Sequence, residues 1–169
     1  ADNMSGGAGF DSYIVDNAGD TIIENFDAGT DKISSSVTYT LPLNVENLVL
    51  TGTAVINGTG NNLSNSLTGN SANNQLNGSD GNDILNGGLG TNTLTGGVGN
   101  DIFRFTTLGH VDTVTDFNVA NDTTELENSV FTALNTLGVL APDQFRIGAQ
   151  AADSNDFIIY NSTTGVLIY

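Results

Sequence analysis

The sequence predicts an all-β solenoid, a chain wound into stacked coils of turn and short strand. Three observations predict it, all in the stretch from Leu67 to Phe103. Large apolar residues stand nine apart, at Leu67, Leu76, Leu85, Leu94 and Phe103. Two positions before each stands Asn65, Asn74, Asp83, Asn92 or Asp101. Glycines hold the same phase twice over, at Gly69, Gly78, Gly87 and Gly96 and at Gly81, Gly90 and Gly99. Self-similarity at a fixed short period is the signature of a repeat architecture, in which each unit buries its apolar face only by stacking on its neighbours.

Each unit reads as a glycine-rich six-residue turn and a three-residue strand with one inward apolar side chain. Glycine serves where the backbone needs positive φ or where carbonyls crowd a ligand. Two units complete a coil of 18 residues, so turns on one side recur 18 apart. Asp83 then stacks on Asp101, and Asn74 on Asn92. Stacked carboxylates repel unless a cation lies between them. Oxygen-only donors select a hard cation, and an irregular cage suits Ca²⁺ better than Mg²⁺.

Before this stretch, an isolated copy runs from Gly6 through Asp11 to Ile14. Weaker echoes follow at Asp20-Thr21-Ile22, Asp31-Lys32-Ile33 and Asp112-Thr113-Val114, with Asn47-Leu48-Val49 as a degenerate copy. After it, residues 128–135 read as a short helix, and Pro142 suits the first turn of another. Residues 157–160 and 166–169 flank Asn161-Ser162-Thr163-Thr164-Gly165, a hairpin signature. This tail is expected to cap the open end, where an exposed strand invites aggregation. The organisation is N-terminal coils over 1–56, core repeats over 57–105 and a capping region over 106–169.

Charge bounds the function. Three Lys plus Arg face nineteen Asp plus Glu, a net charge of −16. Nucleic acid and anionic membranes need a basic patch and are excluded as partners. No apolar run nears a bilayer span, so no membrane insertion is expected. No cysteine is present, which removes disulfides and a thiolate nucleophile. His110 is the single histidine, Ser5 and Ser34 to Ser36 lack a nucleophile-elbow context, and no acid-base set clusters: no catalytic residue is expected. The chain starts without Met or a secretory signal and reads as an excised piece of a larger protein.

The repeats resemble the RTX (repeats-in-toxin, hemolysin-type) family of calcium-binding nonapeptides, Gly-Gly-Xaa-Gly-Xaa-Asp-Xaa-apolar-Xaa. Residues 6–14 and 78–103 match it closely. The stretch from Tyr39 to Asn61 resembles a linking segment of large bacterial RTX proteins, and the region after Phe103 their capping region. The resemblance implies a parallel β-roll with several Ca²⁺ in its turns. It implies that one turn gives the carbonyls of its first and third positions and its Asp. The next turn on that side gives the carbonyls of its second and fourth positions and its Asp. Carried over, one site comprises Gly78, Asp80, Asp83, Gly97, Gly99 and Asp101. A second comprises Gly6, Ala8, Asp11, Asp27, Gly29 and Asp31. A third pairs Asn65 with Ser79, Gly81 and Asp83. Asp112, Asp116 and Asp122 are further candidate ligands. Where Asn replaces Asp, at 65, 74 and 92, charge is lost, and the Asn74/Asn92 turn is expected to be poor in metal and held by amide hydrogen bonds.

The resemblance further implies a module of a secreted, extracellular protein of a Gram-negative bacterium, exported by a type I secretion apparatus and folding on Ca²⁺ outside the cell. Two alternatives stand beside it. The chain could be the non-catalytic part of a secreted protease, lipase or epimerase. It could instead be a Ca²⁺-dependent adhesive module that contacts polysaccharide through Thr51, Thr53, Thr59, Thr68, Thr93 and Thr95.

Overall fold

The computed structural model describes residues 1–26, 29–127 and 129–131, and the strands Phe145–Ile147, Ile158–Asn161 and Val166–Ile168. The described residues form an all-β parallel solenoid and contain no helix. The helices expected at 128–135 and at Pro142 lie outside the described residues, apart from a turn near 129–130.

Two sheets face each other. The first is wholly parallel and has seven strands: Ser12–Val15, Lys32–Ser35, Asn47–Leu50, Ser66–Thr68, Ile84–Asn86, Ile102–Phe105 and Thr123–Leu126, stacked in chain order. The second begins with Tyr39–Thr40, Gly58–Thr59, Gln75–Asp80, Thr93–Val98 and Asp112–Val114, also parallel. A separate parallel pair joins Asn3–Met4 to Thr21–Ile22. From Lys32 to Leu126 the chain alternates between the two sheets, so each coil places one strand in each; in the first coil the second strand is Thr21–Ile22 of the separate pair.

Register explains the period. In the first sheet Tyr13, Ile33, Leu48, Leu67, Leu85 and Phe103 stack in one column. In the second, Leu76, Leu94 and Val114 stack. Ile33, Leu48, Leu67, Leu85, Leu94 and Phe103 are fully buried between the sheets. Strand alternation sends their neighbours outward. The column ends at Thr124, half-buried opposite Phe103, and the ring of Phe117 packs on Phe103 with centroids 5.9 Å apart. Beyond it, Arg104 pairs with Glu125 at 2.8 Å across the last two strands.

The tail hairpin takes the expected form: Ile158–Asn161 pairs antiparallel with Val166–Ile168. Val166–Ile168 in turn pairs antiparallel with Asp112–Val114, and Phe145–Ile147 adds a parallel outer strand. The last coil of the second sheet is thereby paired rather than left as an open edge.

Candidate metal centre

Along one side of the solenoid, the residue that ends each turn is stacked on its equivalent one coil away. Its side chain accepts a hydrogen bond from that residue's backbone N–H, except at Asn65, whose Oδ1 accepts from the Asn61 N–H at 2.7 Å. Asp31 Oδ1 accepts from Asp11 at 2.8 Å, and Glu46 Oε2 from Asp31 at 2.8 Å. Higher up, Asp83 Oδ1 accepts from Asn65 at 2.7 Å, Asp101 Oδ1 from Asp83 at 2.9 Å, and Asp122 Oδ1 from Asp101 at 3.0 Å. A parallel sheet leaves the turn N–H groups pointing along the coil axis, so one carboxylate oxygen per coil satisfies one buried donor.

The second oxygen is the informative one. Asp11 Oδ2, Asp31 Oδ2, Asp83 Oδ2 and Asp101 Oδ2 are buried with no partner. Asp31 and Asp83 are 0% exposed, and Asp101 1%. Buried carboxylate oxygens without a partner carry a heavy desolvation cost. Burial pushes the Asp83 carboxyl up to about 6; the charges of Asp101 and Asp80 add to this and the N–H of Asn65 opposes it. Burial likewise raises Asp101, against the N–H of Asp83 and with the charges of Asp122 and Asp116. A cradle accompanies three of these oxygens: a Cβ on Gly78 would collide with Asp83 Oδ2, one on Gly96 with Asp101 Oδ2 and one on Gly6 with Asp11 Oδ2. The carbonyl of Gly96 borders the Gly78 cradle as well. Hard oxygen donors, negative charge and missing side chains fit a Ca²⁺-type ion.

Asp20 shows what a satisfied aspartate looks like in the same solenoid. Its carboxylate accepts from the N–H groups of Asp2, Asp16 and Asn17 at 2.8, 3.3 and 3.2 Å. These bonds, that from Asp2 foremost, hold its carboxyl below the usual range despite burial.

The asparagine turns are satisfied differently. Asn74 and Asn92 repeat the ladder on the opposite side: Asn92 Oδ1 accepts from the Asn74 N–H at 2.9 Å. The amide hydrogens then do what a cation would do. Asn74 Nδ2 donates to Ile56 O at 2.6 Å and to Asn70 Oδ1 at 3.1 Å. Asn70 Nδ2 donates to Ala54 O at 2.9 Å. On the acidic side Asn65 Nδ2 reaches Asn61 Oδ1 at 3.1 Å and Val45 O at 3.3 Å, while Asn61 Nδ2 donates to Pro42 O and Val45 O.

The remaining candidates divide. Asp112 accepts from both the backbone and the side-chain amide of Asn92, at 2.8 and 2.9 Å. Asp116 clamps the N–H groups of Gly96 and Gly97 at 2.9 and 2.8 Å. Asp122 uses its second oxygen on the Asn118 N–H at 2.7 Å. Asp80 is exposed, paired with Val98 in the strand register, and Ser79 takes a positive φ of 82°. Gly29, Gly81, Gly97 and Gly99 also have positive φ. Gly6 lies against the Asp11 carboxylate, Ala8 is exposed in the same turn, and Asp27 lies outside the described residues.

Two residues escaped the sequence reading. Glu46 ends a turn only 15 residues after Asp31, a shortened coil that a search at 18 passes over. Glu24 joins Asp11 and Asp31, with one carboxylate oxygen of each within 4.8 Å of the others. The signal was its position, 18 residues after Gly6.

The fold is a parallel β-solenoid, and its turns carry buried, unpartnered carboxylate oxygens whose chemistry fits a hard cation. The RTX calcium-binding nonapeptide repeat (4 copies) matches residues 58–94 and, in an overlapping placement, 68–103, so residues 58–103 are an RTX repeat array. The repeat family is described as calcium-binding, and the matched residues are the middle coils of the solenoid. A comparison of the sequence with curated proteins returns no match.

Proposed function

We propose that the chain is a Ca²⁺-driven folding module of a larger extracellular protein. It crosses a type I secretion apparatus unfolded and coils up outside the cell. The observation that carries this reading is the file of buried, unpartnered Oδ2 atoms at Asp83 and Asp101 and at Asp11 and Asp31. In calcium-poor surroundings these carboxylates oppose the fold. When Ca²⁺ arrives, its binding free energy becomes folding free energy, because no site exists in the unfolded chain. Gly78, Asp80, Asp83, Gly97, Gly99 and Asp101 are assigned to one ion. Gly6, Ala8, Asp11, Asp27, Gly29 and Asp31 are assigned to a second. Asn65, Ser79, Gly81 and Asp83 form a weaker third, since one member brings no charge.

Circular dichroism during a Ca²⁺ titration from excess chelator, with Mg²⁺ as control, tests it. The β-signal should rise with Ca²⁺ and much less with Mg²⁺. A signal already complete in chelator refutes the switch.

One observation favours a second reading, a carbohydrate-binding face. Thr40, Thr59, Asn77 and Thr95 fall in one register row on the outside of the second sheet. Thr115 extends the row, its Oγ1 2.8 Å from Thr95 Oγ1. Glycan-array binding that requires Ca²⁺ would support it, and a blank array would exclude it.

A further inference from the structure

Glu24 stands outside the matched array and supplies something that the turns of the array lack. Within the array the residue 18 after Gly78 is Gly96; in the first coil the residue 18 after Gly6 is Glu24. Glu24 Oε1 accepts from the Gly6 N–H at 3.2 Å and from the Tyr13 hydroxyl. Its Oε2 is buried and unpartnered, as are Asp11 Oδ2 and Asp31 Oδ2. Glu24 is 7% exposed and Asp31 0%. Three carboxylates thus converge within 4.8 Å, and neither ion pair among the described residues reaches them. Like charges this close and this dry repel strongly. The N–H groups of Gly6 and Asp11 and the Tyr13 hydroxyl serve one oxygen of Glu24 and one of Asp31, and the second oxygen of each carboxylate is left buried without a partner.

We propose that Asp11, Glu24 and Asp31 form a three-carboxylate site for one Ca²⁺-type ion. It is tighter than the two-aspartate site at Asp83 and Asp101 and is filled first. The proposal rests on the calcium reading above and adds a ligand and an order of loading to it. Affinity of oxygen sites follows the number of charged ligands, so a formal charge of three acids favours this coil over the others. The same charge suits a trivalent lanthanide, and Tyr13, bonded to one ligand, is placed to pass excitation to it.

The test uses the full chain and Tb³⁺, exciting tyrosine and reading Tb³⁺ emission, with Ca²⁺ as competitor. Glu24→Gln keeps an acceptor for Gly6 and Tyr13 while removing the charge. The wild type should give tyrosine-sensitised emission that saturates with the first equivalent of Tb³⁺. Glu24→Gln should raise the midpoint about tenfold, and Tyr13→Phe should remove most of the emission while calorimetry still finds the tight Ca²⁺ class. Asp83→Asn should keep the tight Ca²⁺ class and lose a weaker one. An unchanged midpoint in Glu24→Gln, or loss of the tight class in Asp83→Asn instead, overturns the proposal while calcium binding elsewhere stands. No calorimetric Ca²⁺ uptake by the wild type overturns both readings. If Glu24→Gln loses its β-signal at saturating Ca²⁺, Glu24→Asp decides: a weaker midpoint supports the site, and a wild-type midpoint overturns it.

Discussion

Replacing Asp83 by asparagine should stabilise the protein without calcium and weaken its response to calcium. Moving a carboxyl from 3.8 to about 6 on burial is worth about 3 kcal/mol at neutral pH. That is the cost the metal-free fold bears at this one residue. The substituted amide would keep an oxygen acceptor for the Asn65 N–H, as Asn92 does for Asn74 at 2.9 Å. Its new Nδ2 would face the cradle bounded by the Gly96 carbonyl, as Asn74 Nδ2 faces Ile56 O at 2.6 Å. The amide thus takes the cation's place, and most of that ~3 kcal/mol is recovered. Urea denaturation in excess chelator at pH 7, followed by circular dichroism, reads the gain as a higher midpoint. Calorimetric stoichiometry should fall by about one ion per chain, by the loss of a charged ligand. A metal-free midpoint no higher than the wild type's would refute the reasoning, since the Asp83 charge would then cost nothing.

The opposite change, Asn74→Asp, turns two amide donations into repulsions against Ile56 O and Asn70 Oδ1; it should cost about 2 kcal/mol or more in chelator, and a thermal melt unchanged in chelator would contradict this. Gly99→Ala should destabilise the calcium-saturated fold by about 3 kcal/mol or more, because its Cβ would sit 1.7 Å from the Gly81 carbonyl oxygen at φ 157°; a wild-type melting temperature would show that the turn gives way. Acid should stabilise the metal-free protein. Asp83 holds its proton up to about 6 in the fold, against 3.8 when unfolded, so its penalty is full above pH 6 and fades as pH falls towards 4. Asp101 acts in the same sense. Asp20, whose carboxyl is lowered, loses its contribution only below the ordinary carboxylate value. Urea midpoints in chelator should therefore rise from pH 7 to pH 5, while Ca²⁺ affinity drops as protons compete; a falling metal-free midpoint over that range would count against the assignment.

The nine-residue period made the core legible because it encodes one physical repeat, an inward apolar side chain on every strand. Leu67, Leu76, Leu85 and Leu94 needed no further information, and the stacking of Asp83 on Asp101 followed from counting 18. Legibility failed where coil length changed. Glu46 holds the place that an aspartate holds elsewhere, but three residues are missing from its coil. Glu24 fills the station of a repeat glycine and reaches the neighbouring aspartates with a longer side chain. Neither residue type belongs to the repeat pattern, so periodicity is blind to both. The tail hairpin was readable from Asn161 and Gly165, local turn chemistry. Its attachment to Asp112–Val114 was not, because edge pairing between distant segments leaves no periodic trace.

The negative charge is arranged along the coil axis. On the acidic side, Asp11, Asp31 and Glu46 form one ladder and Asp83, Asp101 and Asp122 another. Between them lies Asn65, and across the same coil Asn70 and Asn74, all closed by their own amides. In a solenoid each coil stabilises only its neighbours. A neutral coil between two charged stretches therefore separates the carboxylates of one ladder from those of the other, which limits repulsion along the axis. It also gives each calcium-dependent stretch a neighbour that is complete without metal. One coil alone buries too little to stand, since stacked repeats need about three units to be stable. The amide block thus lowers the number of ions needed to close the fold while leaving closure dependent on them, which is why the sign of the effect should reverse between Asp83→Asn and Asn74→Asp.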